Sequence, residues 1–281
     1  MGQALKTQPH DDVQQIELDL FLEGAFRHYG YDFRGYARAS LRRRLVNIMQ
    51  AEGVATLSAL QDRVLHDRAA WERCLQGISV NVSAMFRDPG FFLAFRQVVV
   101  PMLRTYPFIR IWQAGASLGE EAYSLAILLE EEGLGERTLI YSTDINEAAL
   151  RQARDGIYRA ELMQRYTQNY VQSGGKRSFS EYYTARYDLA ILRPSLRENI
   201  VFSQHNLVSD GPFNEFNVVL CRNVMIYFTK PLQEQALTLL HQSLGMFGIL
   251  GVGAGESLRL TKFERMYEGI VPGQRLYKKI A

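Results

Sequence analysis

The segment IRIWQAGASLGEEAYSLAILLEEE, residues 109–132, constrains this chain more than any other. An apolar run ends near Ala114, an amphipathic stretch starts near Glu120, and Gly115 and Gly119 stand between them. The pattern reads as strand, tight turn and helix. Glycines at such a turn let the backbone bend sharply and expose peptide groups that a side chain would screen, while the amide end of the helix favours polar groups. A nucleotide-like cofactor fits there. The spacing is Gly-x-x-x-Gly rather than the dinucleotide fingerprint Gly-x-Gly-x-x-Gly, and Glu120 and Glu121 follow at once. Two carboxylates repel a pyrophosphate but suit a ligand carrying an ammonium and a sulfonium, which favours S-adenosylmethionine over a dinucleotide. Taken alone, the turn is also what an ordinary strand-to-helix connection looks like.

The rest of the chain supplies a context for that turn. From Arg110 onward the apolar runs IRIWQA, TLIYSTDI, NIVFSQHN, FNVVLCRN and GILGVGA alternate with the helical stretches EEAYSLAILLEEE, NEAALRQARDG and KPLQEQALTLLHQSL, and QRLYKKI makes a closing strand. Alternation of this kind implies an α/β fold, a mainly parallel sheet wrapped by helices. It breaks between Ile157 and Asn199, where the polar, tyrosine-rich stretch QRYTQNYVQSGGKRSFSEYYTARYDLA is long enough to be an inserted subdomain, assigned to 162–197. Upstream, residues 16 to about 76 are helical throughout. Leu18, Phe21, Leu22 and Phe26 share one face ending at Gly30, and Leu41, Leu45, Ile48 and Met49 repeat the device before Gly53. The expected organisation is a flexible N-terminus at 1–15, an all-helical domain at 16–80, a linker and lid at 81–100, and the α/β domain at 101–281.

Charge and cysteine content narrow the function classes. With 281 residues and a formal net charge of +2, no overall bias argues for nucleic acid or a membrane surface. Cys74 and Cys221 are far apart, and each reads as a small buried side chain in a reducing cytoplasm. The polar N-terminus lacks the core of a signal peptide, and no apolar run approaches the roughly 20 residues that span a bilayer, so a cytoplasmic location is expected. The histidines show no metal-ligand spacing, and no metal is expected.

In an open α/β sheet, ligands bind beyond the carboxyl ends of the strands, so the residues after each strand carry the information. Asp144 ends LIYSTD, 29 positions after Gly115; it can accept hydrogen bonds from both hydroxyls of a ribose, or cap the helix that follows. Asn206 and Leu207 follow ENIVFSQ and can offer an amide and an apolar wall to adenine, or form a polar turn. Asn223 and Val224 follow FNVVLC, where Asn223 bridges the cofactor's amino-acid part or caps a helix. The Pro-Pro-Tyr signature of enzymes that methylate base or amide nitrogens is absent there. In NVSAMFR, Asn81 and Ser83 point the same way if extended and can close a lid, with Arg87 as a fixed cation, or they serve as turn and cap residues. Arg38, Arg42, Arg43 and Arg44 lie on a different face from Leu41, Leu45 and Ile48. Residues 24–87 hold ten arginines, no lysine and five acids, a local surplus that is either a solvated face or a docking surface for a glutamate-rich protein or a nucleic-acid backbone.

Taken in order, NVSAMFRDPGFF, IWQAGASLGEEAYSLA, STDINEAALRQARDGIY and FNVVLCRNVMIYFTK resemble the CheR-type chemotaxis receptor methyltransferases, from roughly Leu18 to Lys278. The resemblance implies a Rossmann-like class I S-adenosylmethionine-dependent methyltransferase domain with a small inserted β-subdomain, preceded by an all-helical domain. It implies methyl transfer to glutamate side chains on the cytoplasmic helices of chemoreceptors, forming γ-methyl esters, with S-adenosylhomocysteine as product and no nucleic-acid partner. By motif position the cofactor contacts it carries over are Asn81, Ser83, Arg87, Glu120, Asp144, Asn206, Leu207, Asn223 and Val224, beside the turn at Gly115. The basic helix around Arg38 to Arg44 falls where the family meets its receptors, and Arg87 is the cation expected nearest the acceptor carboxylate. The chain departs from the family at Leu118, where a hydroxyl is usual, at Ala122, where a proline is, at Ser83, where a threonine is common, and in GAGES, which replaces Gly-His-Ser-Glu. A non-catalytic module that binds S-adenosylmethionine or S-adenosylhomocysteine is the alternative.

Overall fold

The structure, a computed structural model, describes residues 9–79 and 83–281. The chain divides into two compact units, Met1–Val80 with Tyr227–Leu232, and Asn81–Ile226 with Gln233–Ala281.

The first unit holds four helices, α1 (Pro9–Tyr29), α2 (Arg38–Glu52), α3 (Leu57–His66) and α4 (Arg68–Ile78). Helix α1 starts inside the stretch 1–15 that the polar sequence marks as loose. Leu18, Phe21 and Leu22 of α1 and Leu41, Leu45 and Ile48 of α2 are buried, as their helical spacing requires. Phe26 departs from that pattern, since it stays partly exposed beneath the Arg34 guanidinium, 3.9 Å from its ring centre. Local chemistry ends these helices. Gly53 closes α2 in the left-handed conformation, the Thr56 side chain accepts from the Ala59 amide to start α3, and Asp67 does the same for α4 through Ala69. The sequence gives no sign that Tyr227–Leu232 joins this unit. It does so through the Ala37 amide, which donates to the Tyr227 carbonyl at 2.8 Å, and through Phe228, whose ring meets Tyr36 edge-on.

The second unit is built on a sheet of seven strands. Numbered along the chain, the strands are β1 (Ile109–Ala114), β2 (Thr138–Asp144), β3 (Ile157–Arg159), β4 (Tyr183–Arg186), β5 (Leu189–Leu192), β6 (Ile200–Gln204), β7 (Phe216–Cys221), β8 (Leu244–Val252), β9 (Tyr267–Gly269) and β10 (Leu276–Lys279). The main sheet has the order β6-β2-β1-β7-β8-β10-β9. Pairing is parallel from β6 to β8, and β10 is antiparallel to both its neighbours. One reversed strand inserted near the edge of an otherwise parallel sheet is the topology of class I S-adenosylmethionine-dependent methyltransferases. The chain order reverses between β1 and β7, so the ligand crevice lies beyond their carboxyl ends. Helices α5 (Pro89–Ala94) and α6 (Val100–Leu103), joined by a π-turn at Phe95–Val99, precede the sheet, and α7 (Glu120–Glu131), α8 (Glu147–Asp155) and α10 (Lys230–Ser243) connect its strands. Phe91, Phe92 and Phe95 are buried in the core of this unit, so the end of the segment 81–100 is packed structure rather than a free linker.

The insertion is a three-stranded antiparallel sheet, β3-β5-β4, with helix α9 (Met163–Gln172). It begins at Ile157, before the boundary that composition marks at 162. Charge pairs tie its base to the main unit. Arg96 bridges Glu131 and Glu132, each at 2.7 Å, while Tyr182 donates to Glu131 at 2.9 Å and Lys176 pairs with Glu132 at 2.8 Å. Burial pushes the Glu131 and Glu132 carboxyls up, but hydrogen bonds from Tyr170, Lys176, Tyr182 and Arg96 outweigh it and hold both below their ordinary value. A depressed folded value stabilises the fold above the unfolded value near 4.5 and ceases to do so as the pH falls through the folded one. Arg96→Ala, which removes the one cation shared by both acids and leaves Glu131 to its neutral donors, is expected to lower stability by about 3 kcal/mol. Chemical denaturation at pH 7 measures this loss, and the difference from the parent should shrink below pH 4.

Candidate functional site

The turn after β1 is shaped by steric limits on both sides. Gly115 has φ +91°, and a Cβ there would lie 2.3 Å from Val224 Cγ2 after β7, so the two strand ends meet as closely as glycine allows. The Gly115 and Ala116 amides both donate to the Thr143 carbonyl at 2.8 Å, and the Gln113 side chain, held by Ser142, donates to the Gly115 carbonyl at 2.9 Å. The loop is thus fixed from the β2 side. Asp144 at the end of β2 accepts from the Ser117 amide at 2.8 Å and the Asn146 amide at 2.9 Å. Burial raises its carboxyl, and the Asn146, Ser117 and Ile145 amides pull it back. It does not cap α8. That cap is Asn146, whose side chain accepts from Ala148 and Ala149.

Glu120 and Glu121 open α7, and the fold gives them different surroundings. Glu121 is paired, accepting from Arg222 at 2.6 Å. Arg222 follows β7, its side chain is 1% exposed, and it also reaches Asp88 at 2.8 Å and the Arg87 carbonyl at 3.1 Å while lying 4.0 Å over the Phe91 ring. Glu120 is buried, at 2% exposure. Its Oε1 accepts from the Tyr166 hydroxyl at 3.3 Å, and its Oε2 has no partner. Burial pushes its carboxyl up, and its own amide, Tyr166 and Ser83 oppose that shift, but no cation does. A desolvated carboxylate with no cation among its described neighbours suits a cationic ligand, and the ammonium and sulfonium of S-adenosylmethionine are such groups.

The segment 83–88 runs along the same site. The Phe86 amide donates to Ser124 on α7 at 2.8 Å, the Asn169 amide group of α9 donates to the Met85 carbonyl at 2.9 Å, and Arg222 holds Arg87 and Asp88. Phe86 and Asp88 take φ of 52° and 58°, left-handed values that side chains seldom adopt and that these anchors impose. Ser83 lies beside Glu120 in this arrangement, and Arg87 is half-buried next to the clamp. Asn81 lies outside the described residues.

Asn223 and Val224 are organised by a residue the sequence analysis did not single out. Glu256, 6% exposed, accepts backbone amides from Gly253 at 2.6 Å, Asn223 at 3.0 Å, Val224 at 3.0 Å and Ile226 at 3.2 Å, which holds Asn223 at φ 60°. Burial raises its carboxyl against the pull of those amides. The signal for it is the glutamate of GAGES, which differs from the family pattern around it. Asn206 makes a polar turn, its side chain accepting from the Val208 amide at 2.9 Å and its own amide donating to Asp210, with Leu207 half-buried beside it.

The arginines of α2 do not act as one face. Arg38 pairs with Asp19, Arg42 donates to the Gln15 side chain at 3.2 Å, and both line a groove of about 580 Å³ with Ala39, Arg43, Val46 and Asn47. Arg44 turns inward to the Ile78 carbonyl at 2.5 Å and the Ser40 hydroxyl, and lies over the Tyr227 ring. Burial lowers its proton affinity, so Arg44 belongs to the interior of the helical unit rather than to a partner surface.

Residues 81–270 match the CheR methyltransferase SAM-binding domain and residues 16–79 match the CheR methyltransferase all-alpha domain. The chain belongs to the CheR methyltransferase family. Its cofactor is S-adenosylmethionine. Among relatives, the provisionally named methyltransferase Cher3 of Pseudomonas putida is 49% identical over 94% of this chain and 97% of its own length. A chemotaxis protein methyltransferase of Salmonella typhimurium is 30% identical over 83% of this chain and 80% of its own, and one of Listeria innocua is 28% identical over 83% and 86%. Among the described residues no cluster of three or more His, Cys, Asp or Glu is arranged to hold a metal, and no helix is long and apolar enough to cross a membrane.

Glu256→Ala leaves four backbone amides without their acceptor and is expected to cost about 3 kcal/mol of stability. Equilibrium urea unfolding reads it, with Glu256→Gln intermediate because one oxygen remains.

Proposed function

We propose that this CheR-family methyltransferase transfers a methyl group from S-adenosylmethionine to glutamate side chains of chemoreceptors in the cytoplasm. The observation that carries the reading is Glu120, a buried carboxylate with one unpartnered oxygen and no cation among its described neighbours. The acceptor class is supported by the relatives named chemotaxis protein methyltransferases.

When bound, S-adenosylmethionine supplies a methyl group activated by its sulfonium. The chain's own residues bind and orient. Glu120 offers negative charge to the cationic end of the cofactor, Asp144 offers carboxylate oxygens to the ribose, and Asn206 with Leu207 flanks the base. Gly115 and Val224 form the floor between β1 and β7, with Asn223 held at its edge by Glu256, and Ser83 and Arg87 cover it. An acceptor glutamate with an ordinary pKa of about 4.3 is already ionised at neutral pH, so no side chain need remove a proton from it. Catalysis then depends on alignment and on holding the acceptor carboxylate in place, the task assigned to Arg87. Arg38, Arg42 and Arg43, around the groove of α2, form the face for acidic receptor helices.

Incubation with methyl-labelled S-adenosylmethionine and receptor-rich membranes tests the reading. Base-labile label on receptor is the expected result, and cofactor binding without label would instead support a regulatory module. Arg87→Ala is expected to lower kcat about 100-fold and to weaken cofactor binding as well. Full activity in that variant would remove Arg87 from the reaction.

A further inference from the structure

The inserted unit contributes directly to the wall of the cofactor site. Helix α9 carries Tyr166, 1% exposed, with its hydroxyl 3.3 Å from Glu120 Oε1, and Asn169, which holds the Met85 carbonyl. Strand β3 carries Tyr158, whose hydroxyl donates to the Leu118 carbonyl at 2.8 Å. Three side chains of one insertion therefore reach the glycine turn, the buried glutamate and the segment 83–88. Only Tyr166 touches a charged group. A phenol donates one proton, and here it donates to Glu120 Oε1, which fixes the carboxylate rotamer and leaves Oε2 unshared.

We propose that Tyr166 is a positioning residue for the cofactor: its hydroxyl holds Glu120 as an oriented acceptor for the cationic end of S-adenosylmethionine, so the insertion helps to set cofactor affinity. This rests on the reading that Glu120 meets that cation. The groups facing Glu120 are Tyr166 and Tyr158 from the insertion and Ser83 from the segment ahead of α5, while the neighbouring Arg222 is committed to Glu121 and Asp88. Burial drives Tyr166 far above its ordinary range, so it remains a donor at any working pH. Its hydrogen bond opposes the protonation that burial promotes in Glu120. Removing the hydroxyl makes the carboxylate easier to protonate, and a protonated carboxyl attracts a cation less.

The test is calorimetric titration of S-adenosylhomocysteine, which keeps the ammonium, into the full-length protein and into Tyr166→Phe at pH 6 and pH 8. The phenyl ring keeps the packing. The expected result is binding weakened about 10-fold, by no less at pH 6 than at pH 8. Tyr158→Phe, which loses a bond to a backbone carbonyl and none to Glu120, should show a clearly smaller loss. Unchanged affinity in Tyr166→Phe, or a loss no greater than that of Tyr158→Phe, overturns the proposal. A parent protein that fails to bind S-adenosylhomocysteine would instead overturn the cofactor assignment of Glu120.

Discussion

Burying an arginine costs several kcal/mol unless its charge is met, and the second unit depends on a place where it is met from several elements at once. Arg222 meets Glu121, Asp88 and the Arg87 carbonyl, and its guanidinium covers Phe91. Those partners lie 101 and 134 residues away in sequence. A single side chain thus fastens the end of β7, the first turn of α7 and the strained segment before α5. The same pairing distinguishes two adjacent carboxylates. Because Arg222 is committed to Glu121 and Asp88, Glu120 has no cation among its described neighbours, and the proposed preference for a cationic ligand follows from what Arg222 does not reach.

Around that clamp, each strand-end loop is held by a side chain from another element. Gln113 and Ser142 fix Gly115, Asp144 fixes Ser117, and Glu256 fixes Asn223, Val224 and Ile226. These are mostly side chains accepting or donating to backbone groups, bonds that cost more to lose than they contribute net. Such support lets loops at the carboxyl ends of parallel strands keep left-handed residues and still present a fixed surface.

Much of this was legible in the sequence. The central parallel strands β1 and β7 are continuous apolar runs, because both faces of the sheet are covered there, and the helix α8 that follows β2 ends at Gly156 as its composition suggests. Strands β3 to β5 escaped the pattern because they are short, with largely exposed residues at Tyr183–Arg186. The roles of Arg222 and Glu256 escaped it for a different reason. Both act on groups far away along the chain, and a lone arginine in CRN or a glutamate in GAGES carries no local period. Arg44 was misplaced among the docking arginines because helical spacing shows which residues are neighbours but not which of two basic side chains turns inward to a carbonyl and an aromatic ring.

The central claim is that the buried, uncompensated charge of Glu120 selects a cationic cofactor. The direct measurement is the calorimetric affinity of S-adenosylhomocysteine against an analogue in which hydrogen replaces the α-ammonium. The account predicts that the analogue binds at least about tenfold more weakly, the value of one charge-assisted hydrogen bond. It also predicts that Glu120→Gln narrows the gap between the two ligands. Equal affinity of the two ligands for the parent protein would contradict it.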